Sequence, residues 1–203
     1  LKDAEMYAEA AKTAKEKGAD ECARIYANKA KHPDFLLPEH FILATLHRAE
    51  NTDSPERLQS IIAALEEIAR EMPVVIPIHP RTRKKLQELN FNFKQTRLQL
   101  VDPVGYLEMV YLLKHCSLVA TDSGGLQKEA YFFKKYCITL RTETEWVELV
   151  EQGANIITGW RYEDILNSYK QLKHTTKDVF SSPLYGDGQA GHIIIRELQR
   201  IDS

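Results

Sequence analysis

The sequence predicts an α/β protein of the three-layer, doubly wound type, in which a parallel sheet is covered by helices on both faces. Six short apolar runs recur along the chain, and helical patterns separate them. The runs show no clean alternation of apolar and polar residues, which is typical of strands that are buried on both faces. With 43% hydrophobic and 28% charged residues, the 203-residue chain has an ordinary globular composition. We therefore expect one Rossmann-like domain with six parallel strands.

The first segment, Lys2 to Ala30, is rich in Ala, Lys and Glu and contains no proline. This composition is typical of a long helix, which Pro33 would end because the residue before a proline is disfavoured in helical conformation. We expect a leading helix over 1–34, the Rossmann-like domain over 35–180, and a carboxyl-terminal turn and helix over 181–203.

After this segment, predicted strands alternate with predicted helices. The start of the first of these helices is marked by Ser54 and Pro55, because serine is favoured at the N-cap and proline in the first turn. The predicted strands are Phe41–Leu46, Val74–Ile78, Leu98–Val101, Leu118–Thr121, Tyr136–Leu140 and Asn155–Ile157. The predicted helices are Pro55–Glu71, Arg81–Glu88, Gly105–His115, Leu126–Phe133, Trp146–Gln152 and Tyr162–Lys170, with a last helix from about Gln189.

Charge and cysteine content narrow the functional classes. The 27 Lys and Arg residues against 29 Asp and Glu give a net charge of -2, which argues against nucleic acid as a partner. The cysteines Cys22, Cys116 and Cys137 are odd in number and widely spaced, so they predict neither a disulfide framework nor a zinc site. There is no apolar run of transmembrane length and no secretory signal. We expect a cytoplasmic protein without membrane contact.

Ligands of open α/β sheets bind at the carboxyl ends of the strands. Ser123, Gly124 and Gly125 follow one predicted strand and open a helix, where glycines allow close approach and free N–H groups attract phosphate. Glu129, about one turn later, can accept hydrogen bonds from a ribose. This segment predicts a site for a nucleoside diphosphate. The alternative is a tight turn with a capping serine.

Two histidines follow other strands. His47 and Arg48 directly follow the first strand, where a cation can bind phosphate and an imidazole can handle a proton. His79 precedes a helix after the second strand. The alternative is that each is an ordinary polar residue at the edge of the domain. A metal site made of His47, His79 and Asp122 has no support from the spacing, and we expect neither a metal nor a cofactor.

A fourth segment follows the fifth strand. Arg141 at its start can bind a phosphate, whereas Glu143 and Glu145 are interpreted as acids that favour a helix start. Tyr106 and two other tyrosines, 111 and 131, are expected to pack against the sheet.

The order of these motifs resembles that of a known family. The motifs are Thr-Leu-His-Arg-Ala-Glu-Asn, Ile-His-Pro, Asp-Pro-Val-Gly-Tyr-Leu, Thr-Asp-Ser-Gly-Gly-Leu-Gln-Lys-Glu-Ala, Leu-Arg-Thr-Glu-Thr-Glu and Tyr-Gly-Asp-Gly-Gln-Ala. From about Lys2 to Ile201 the chain resembles the carboxyl-terminal half of the non-hydrolysing UDP-N-acetylglucosamine 2-epimerases. The resemblance implies one half of a two-domain fold of the glycosyltransferase-B type, with the nucleotide sugar in the cleft between the halves.

The resemblance also implies residue roles. Ser123, Gly124 and Gly125 would bind the diphosphate of UDP, and Glu129 would bind its ribose. The resemblance places the segment Val104 to Met109 beside the uracil and Arg141 in the UDP site. His47 would be the catalytic residue near the reaction centre. Arg48 and His79 would belong to an effector site. Family chemistry removes the C2 proton, expels UDP to leave a glycal, and adds UDP back with C2 inverted.

Two positions depart from the pattern of many members. Trp146 stands where those members have arginine, and Met109 stands at a position that is often aromatic. The run Glu-Trp-Val-Glu resembles the branch that acts on UDP-2,3-diacetamido-glucuronate, which is a second substrate hypothesis.

The partners follow from the same resemblance. They are a UDP-sugar substrate, an amino-terminal Rossmann-like domain that carries the C2 proton-handling groups, and a second copy in a homodimer of the intact enzyme. The fragment alone is expected to be inactive. Two alternatives remain at this point: the nucleotide-sugar-binding half of a glycosyltransferase, and a non-catalytic nucleotide-sensing module.

Overall fold

The computed structural model describes residues 37–186 and 188–201 and contains a six-stranded, wholly parallel sheet. The strands are β1 (Ile42–Thr45), β2 (Val74–Pro77), β3 (Gln99–Val101), β4 (Leu118–Thr121), β5 (Cys137–Thr139) and β6 (Asn155–Ile157). Their spatial order is β3-β2-β1-β4-β5-β6. This confirms the predicted doubly wound α/β fold. The predicted leading helix lies outside the described residues.

The helices lie between the strands as predicted, with boundaries within three residues of the expected ones. They are α1 (Ala49–Thr52), α2 (Pro55–Ile68), α3 (Pro80–Glu88), α4 (Tyr106–His115), α5 (Gly124–Phe132), α6 (Val147–Glu151), α7 (Tyr162–Lys173) and α8 (Ala190–Ile201). The short helix α1 is the element that the sequence did not predict.

The core forms on both faces of the sheet because successive side chains of a strand point to opposite faces. On β1, Ile42 and Ala44 belong to the larger apolar cluster, which includes residues of α2 and α7. The intervening Leu43 belongs to the second cluster, which includes residues of α4 and α5. Both faces of β1 are therefore buried, as its continuous apolar run predicts.

The sheet topology brings the ends of β1 and β4 together. The two strands are neighbours in parallel register, with Thr45 beside Thr121. The chain turns to opposite sides of the sheet from these strands, since β2 follows β1 on one side and β5 follows β4 on the other. Such a switch point opens a crevice at the carboxyl ends of its strands. The segments after Thr45 and Thr121 are thus placed side by side.

Helix α8 exposes an apolar surface. Ile193, Ile194, Ile195 and Leu198 are each more than half exposed.

Within the described part of the chain, no helix combines the length and hydrophobicity that crossing a membrane requires.

Candidate functional site

A groove of about 350 Å³ lies at the carboxyl ends of the strands. It brings together side chains from segments that are far apart in the sequence. Seven residues that the sequence singled out line it: His47, His79, Val104, Met109, Ser123, Gly125 and Glu129. The motifs after β1, β2, β3 and β4 therefore face one cavity.

The amino terminus of α5 forms one wall of the groove. Ser123 is the N-cap, and its hydroxyl accepts a hydrogen bond from the Leu126 N–H at 3.4 Å. Gly125 is exposed in the first turn, and a methyl group added there would meet nothing closer than Ser123 Oγ at 4.0 Å. The serine therefore caps the helix, as the alternative interpretation expects. Gly125 leaves open space beside free N–H groups, where the predicted phosphate site would lie.

Gly124 has a different environment, because it is buried and touches charged side chains. A methyl group added to it would lie 3.1 Å from Glu145 Oε2 and 3.8 Å from Arg48 Nη2. Close packing against Glu145 thus accounts for a glycine at position 124. The carboxylate of Glu145 also lies at the positive end of the α5 dipole, where a negative charge is favoured.

His47 is held by Asp122, which is fully buried. The backbone N–H of His47 lies 3.1 Å from both carboxylate oxygens, and the N–H of Arg48 donates to Oδ2 at 2.9 Å. His47 Nδ1 is 3.3 Å from Asp122 Oδ1. Burial raises the pKa of Asp122, while the N–H groups of Arg48 and His47 and the charge on His47 oppose this effect. Asp122 therefore fixes the segment that carries His47.

Arg141 does not line the groove. It is 8% exposed, and its guanidinium bonds Glu145 at 2.9 Å through both carboxylate oxygens and Glu50 at 3.2 Å. Burial lowers the pKa of Arg141, but the hydrogen bonds and charges of Glu145 and Glu50 outweigh it and raise the pKa. The guanidinium thus forms ion pairs with two carboxylates. Arg141 reaches the predicted phosphate site only indirectly, because its partner Glu145 lies beside Gly124. Glu145, which was expected to favour a helix start, lies at the start of α5 and also links Arg141 to Gly124.

The part of the groove that is predicted to bind the nucleoside contains Glu129, Val104 and Met109. Burial raises the pKa of Glu129 on α5. Val104 and Met109 pack against the second core cluster and leave part of their surface in the groove. The expectation for Tyr106 was wrong, because its side chain is 68% exposed and does not pack against the sheet.

The sequence analysis assigned no role to two residues that make contacts near the site. The Asn51 side chain donates to Leu140 O at 2.8 Å and to Asp122 Oδ2 at 3.3 Å, so it connects the ends of β4 and β5 with α1. The Trp146 indole donates to Gly124 O at 2.7 Å. Lys128 Nζ lies 4.5 Å from the centroid of the Trp146 ring. The unusual residue at position 146 was visible in the sequence, but its contact with Gly124 was not.

Among the residues that the structure describes, no group of three His, Cys, Asp or Glu side chains is arranged to hold a metal ion.

Comparison with known proteins identifies the family. The profile of UDP-N-acetylglucosamine 2-epimerases matches residues 7–199. The chain belongs to this family. It is 49% identical over 182 residues to UDP-2,3-diacetamido-2,3-dideoxy-D-glucuronate 2-epimerase of Pseudomonas aeruginosa, an alignment that covers 88% of this chain and 50% of that protein. It is also similar to UDP-N-acetylglucosamine 2-epimerase of Methanocaldococcus jannaschii, at 39% identity over 80% of this chain and 45% of the relative.

Solved structures of the family show the same fold. The Methanocaldococcus jannaschii enzyme in complex with UDP-GlcNAc and UDP gives a TM-score of 0.71 at 37% identity, over 85% of this chain and 48% of that one. The Neisseria meningitidis enzyme bound to UDP-GlcNAc gives 0.70 at 30% identity, over 85% and 48%. The chain spans about half the length of the relatives that it matches. The 49% identity to the diacetamido-glucuronate enzyme agrees with the branch that the Glu-Trp-Val-Glu run indicated.

Proposed function

We propose that this chain is the UDP-binding half of a UDP-sugar 2-epimerase. The observation that carries the proposal is the convergence of seven predicted residues, from the segments after four different strands, on one groove at the switch point of the sheet. In this arrangement the diphosphate lies at the start of α5, beside Ser123 and Gly125. The ribose is bound by Glu129, and the uracil lies against Val104 and Met109.

The chemistry assigned to the groove is stabilisation of UDP as the leaving group. Expelling UDP to form a glycal develops negative charge on the diphosphate, which preoriented N–H groups at a helix start can stabilise. His47 is proposed as the group nearest the reaction centre. Arg141 belongs to the UDP site indirectly, because it holds Glu145 beside Gly124.

The proposed substrate is a UDP-sugar, either UDP-N-acetylglucosamine or the diacetamido-glucuronate derivative of the branch. Family membership favours an epimerase over the half of a glycosyltransferase. The proposed effector site includes His79 and Arg48. His79 lines the groove that is proposed to bind the nucleotide, whereas the Arg48 guanidinium lies beside the buried Gly124.

The proposed partner is an amino-terminal Rossmann-like domain. The relatives are about twice as long as this chain, and α8 exposes Ile194, Ile195 and Leu198 on its surface. An apolar surface of this kind is typical of an interaction site. A homodimer of the intact enzyme and a cytoplasmic location complete the proposal. The free, buried thiols of Cys116 and Cys137 support a reducing compartment.

Calorimetry with UDP, UDP-N-acetylglucosamine and ADP tests the uridine site. We expect both uridine nucleotides to bind more tightly than ADP. The variant Gly125→Ala places a methyl group in the groove and should weaken UDP binding at least about tenfold, or 1.4 kcal/mol. The same change should raise the free energy of unfolding by about 0.5 kcal/mol, since alanine restricts the unfolded chain.

The matched control is Gly191→Ala, which places the same methyl group in the first turn of α8 with nothing within 4 Å. It should change stability in the same direction and leave UDP binding unchanged. Equal affinity for ADP and UDP, or unchanged UDP binding by Gly125→Ala, would contradict the proposed site.

A further inference from the structure

Two histidines line the groove, and the Nδ1 atoms of the two lie beside partners of opposite hydrogen-bonding character. His47 faces a carboxylate, whereas His79 faces a backbone N–H group. A neutral imidazole carries its proton on one ring nitrogen only, and the partner of one nitrogen determines the character of the other. The two partners therefore decide what each imidazole can offer a ligand.

For His47 the partner is Asp122, whose Oδ1 lies 3.3 Å from Nδ1. The other groups on this carboxylate are all N–H donors, from His47, Arg48 and the Asn51 amide. Burial raises the pKa of Asp122, but these donors oppose that effect and favour an ionised carboxylate, as does a pH well above the usual titration range of carboxyl groups. An ionised carboxylate repels the lone pair of Nδ1 and attracts a proton there. Neutral His47 is then protonated on Nδ1, and its Nε2 keeps a lone pair.

For His79 the partner is the backbone N–H of Arg81, which donates to Nδ1 at 3.2 Å. This bond caps α3, and it requires a lone pair on Nδ1. The proton of neutral His79 therefore lies on Nε2. The capping role and the tautomer are consequences of the same contact.

We propose that the groove holds its two histidines as opposite tautomers, with Asp122 as the positioning residue for His47. His47 then presents an acceptor at Nε2, and His79 presents an N–H donor at Nε2. This step rests on the proposed function, because the two groups suit a sugar nucleotide. The acceptor on His47 can take a proton or a hydrogen bond from the sugar, and the donor on His79 can bind a phosphate oxygen.

Imidazole tautomers are measured by long-range proton–nitrogen correlation spectra of the 15N-labelled chain at about pH 8.5, above the usual titration of histidine. Variants His47→Gln, His79→Gln and His115→Gln assign the signals. His115 is a reference, because its Nδ1 lies 2.8 Å from the Tyr111 carbonyl oxygen, which only accepts. We expect His47 and His115 to be Nδ1-protonated and His79 to be Nε2-protonated.

For His47 we expect at least a tenfold excess of the Nδ1-protonated form, which corresponds to about 1.4 kcal/mol. A predominance of the Nε2-protonated form of His47 in the wild-type chain overturns the proposal, as does an Nδ1-protonated His79. The measurement needs no ligand, so it is independent of UDP binding. Failure to bind UDP would refute the proposed function and leave the tautomers as found.

The variant Asp122→Asn tests the positioning role. Its amide can donate to Nδ1, which should shift His47 to the Nε2-protonated form, as replacing a carboxylate partner does elsewhere. His79 and His115 should keep their tautomers, because their partners are unchanged. An unchanged His47 tautomer in folded Asp122→Asn overturns the role of Asp122. If the variant does not fold, the wild-type spectrum decides the proposal.

Discussion

Glu145 shows how one carboxylate links the fold to the anion site. It lies between the buried Arg141 and Gly124, at the start of α5. The hydrogen bonds from Arg141 lower the pKa of Glu145 below its usual 4.5, and the charge of Arg48 adds to the effect. Because the folded pKa lies below the unfolded one, the ion pair stabilises the protein fully above about pH 4.5. This stabilisation is lost as the pH falls through the folded pKa.

The variant Glu145→Gln removes this dependence. Chemical unfolding at pH 7 should show a lower free energy of unfolding than the wild type, and the difference should shrink between about pH 4.5 and pH 3. The magnitude at pH 7 should stay near or below about 1 kcal/mol, because the Glu145 side chain is 52% exposed and solvent screens the pair.

Glu143→Gln is the matched control. Glu143 approaches the same guanidinium at 3.9 Å, but its side chain is 81% exposed. It should show a smaller loss of stability at pH 7. A difference for Glu145→Gln that stays constant from pH 7 to pH 3 would rule out the assigned ion pair.

Arg141 marks a limit of prediction from sequence at single residues. An arginine at the end of a strand at a phosphate site was reasonably predicted as a ligand. Its partners, however, include Glu50, which is 91 positions away in the chain. Local spacing cannot show such a long-range pair. His47 and Ser123 could be placed because each directly follows its own strand, where the topology alone determines the position.

The loop after β5 supports the first turn of α5. The Trp146 indole donates to Gly124 O at 2.7 Å, and the Thr144 hydroxyl donates to Gln127 Oε1 at 2.6 Å. Lys128 Nζ lies above the Trp146 ring at 4.5 Å. These contacts join two elements that enclose the anion site, so the loop helps to fix the direction of the α5 N–H groups.

The variant Trp146→Phe keeps an aromatic ring and removes the N–H donor to Gly124. We expect the free energy of unfolding to fall by about 1 to 2 kcal/mol, since a buried carbonyl loses one hydrogen bond. UDP binding should weaken several-fold, because the start of α5 is held less firmly. Thermal unfolding and calorimetry measure the two effects.

Lys128→Met is the control, because Lys128 contacts the face of the Trp146 ring and not its N–H group. It removes the cation–π contacts of Lys128 with the rings of Trp146 and Tyr185, each worth about 0.5 to 1 kcal/mol, and keeps the indole hydrogen bond. It should lower stability modestly with little effect on UDP binding. If Trp146→Phe and Lys128→Met changed UDP binding equally, the hydrogen bond to Gly124 would not be the supporting contact.

The sequence predicted strands and long helices well, since their signals are local. Capping residues such as Ser54 and Ser123 lie at the helix starts, where their side chains accept from the first turn. Helix α1 was missed because four residues are too few to show a helical period. Its buried Asn51 is held by tertiary hydrogen bonds rather than by helix propensity.

The whole chain combines a complete sheet with an open groove. All six strands are paired in one sheet, and two core clusters cover its faces. The groove, in contrast, lies open at the switch point, lined by the side chains that are proposed to bind the nucleotide. The relatives of this chain are about twice as long, and two of the solved ones contain UDP-GlcNAc. The proposed nucleotide-binding half is therefore compatible with an incomplete reaction site.

The final prediction concerns catalysis by the 203-residue chain alone. We expect UDP to bind, because the groove residues belong to this chain, but weakly, because one side of the nucleotide sugar remains in solvent. Incubation with UDP-N-acetylglucosamine or the diacetamido-glucuronate derivative should give no epimer. The groups that remove and return the C2 proton are proposed to lie in the amino-terminal domain of the family, and leaving-group stabilisation alone does not break a C–H bond.

Chromatography of the reaction products measures turnover, and calorimetry on the same preparation verifies that UDP binds. The variant His47→Gln, prepared in parallel, distinguishes activity of this chain from a contaminating epimerase. Turnover that increases in proportion to the concentration of the wild-type chain and is lost in His47→Gln would show that this half carries the full catalytic machinery. Binding without turnover would assign the proton chemistry to residues outside the groove described here, as the proposed division of labour requires.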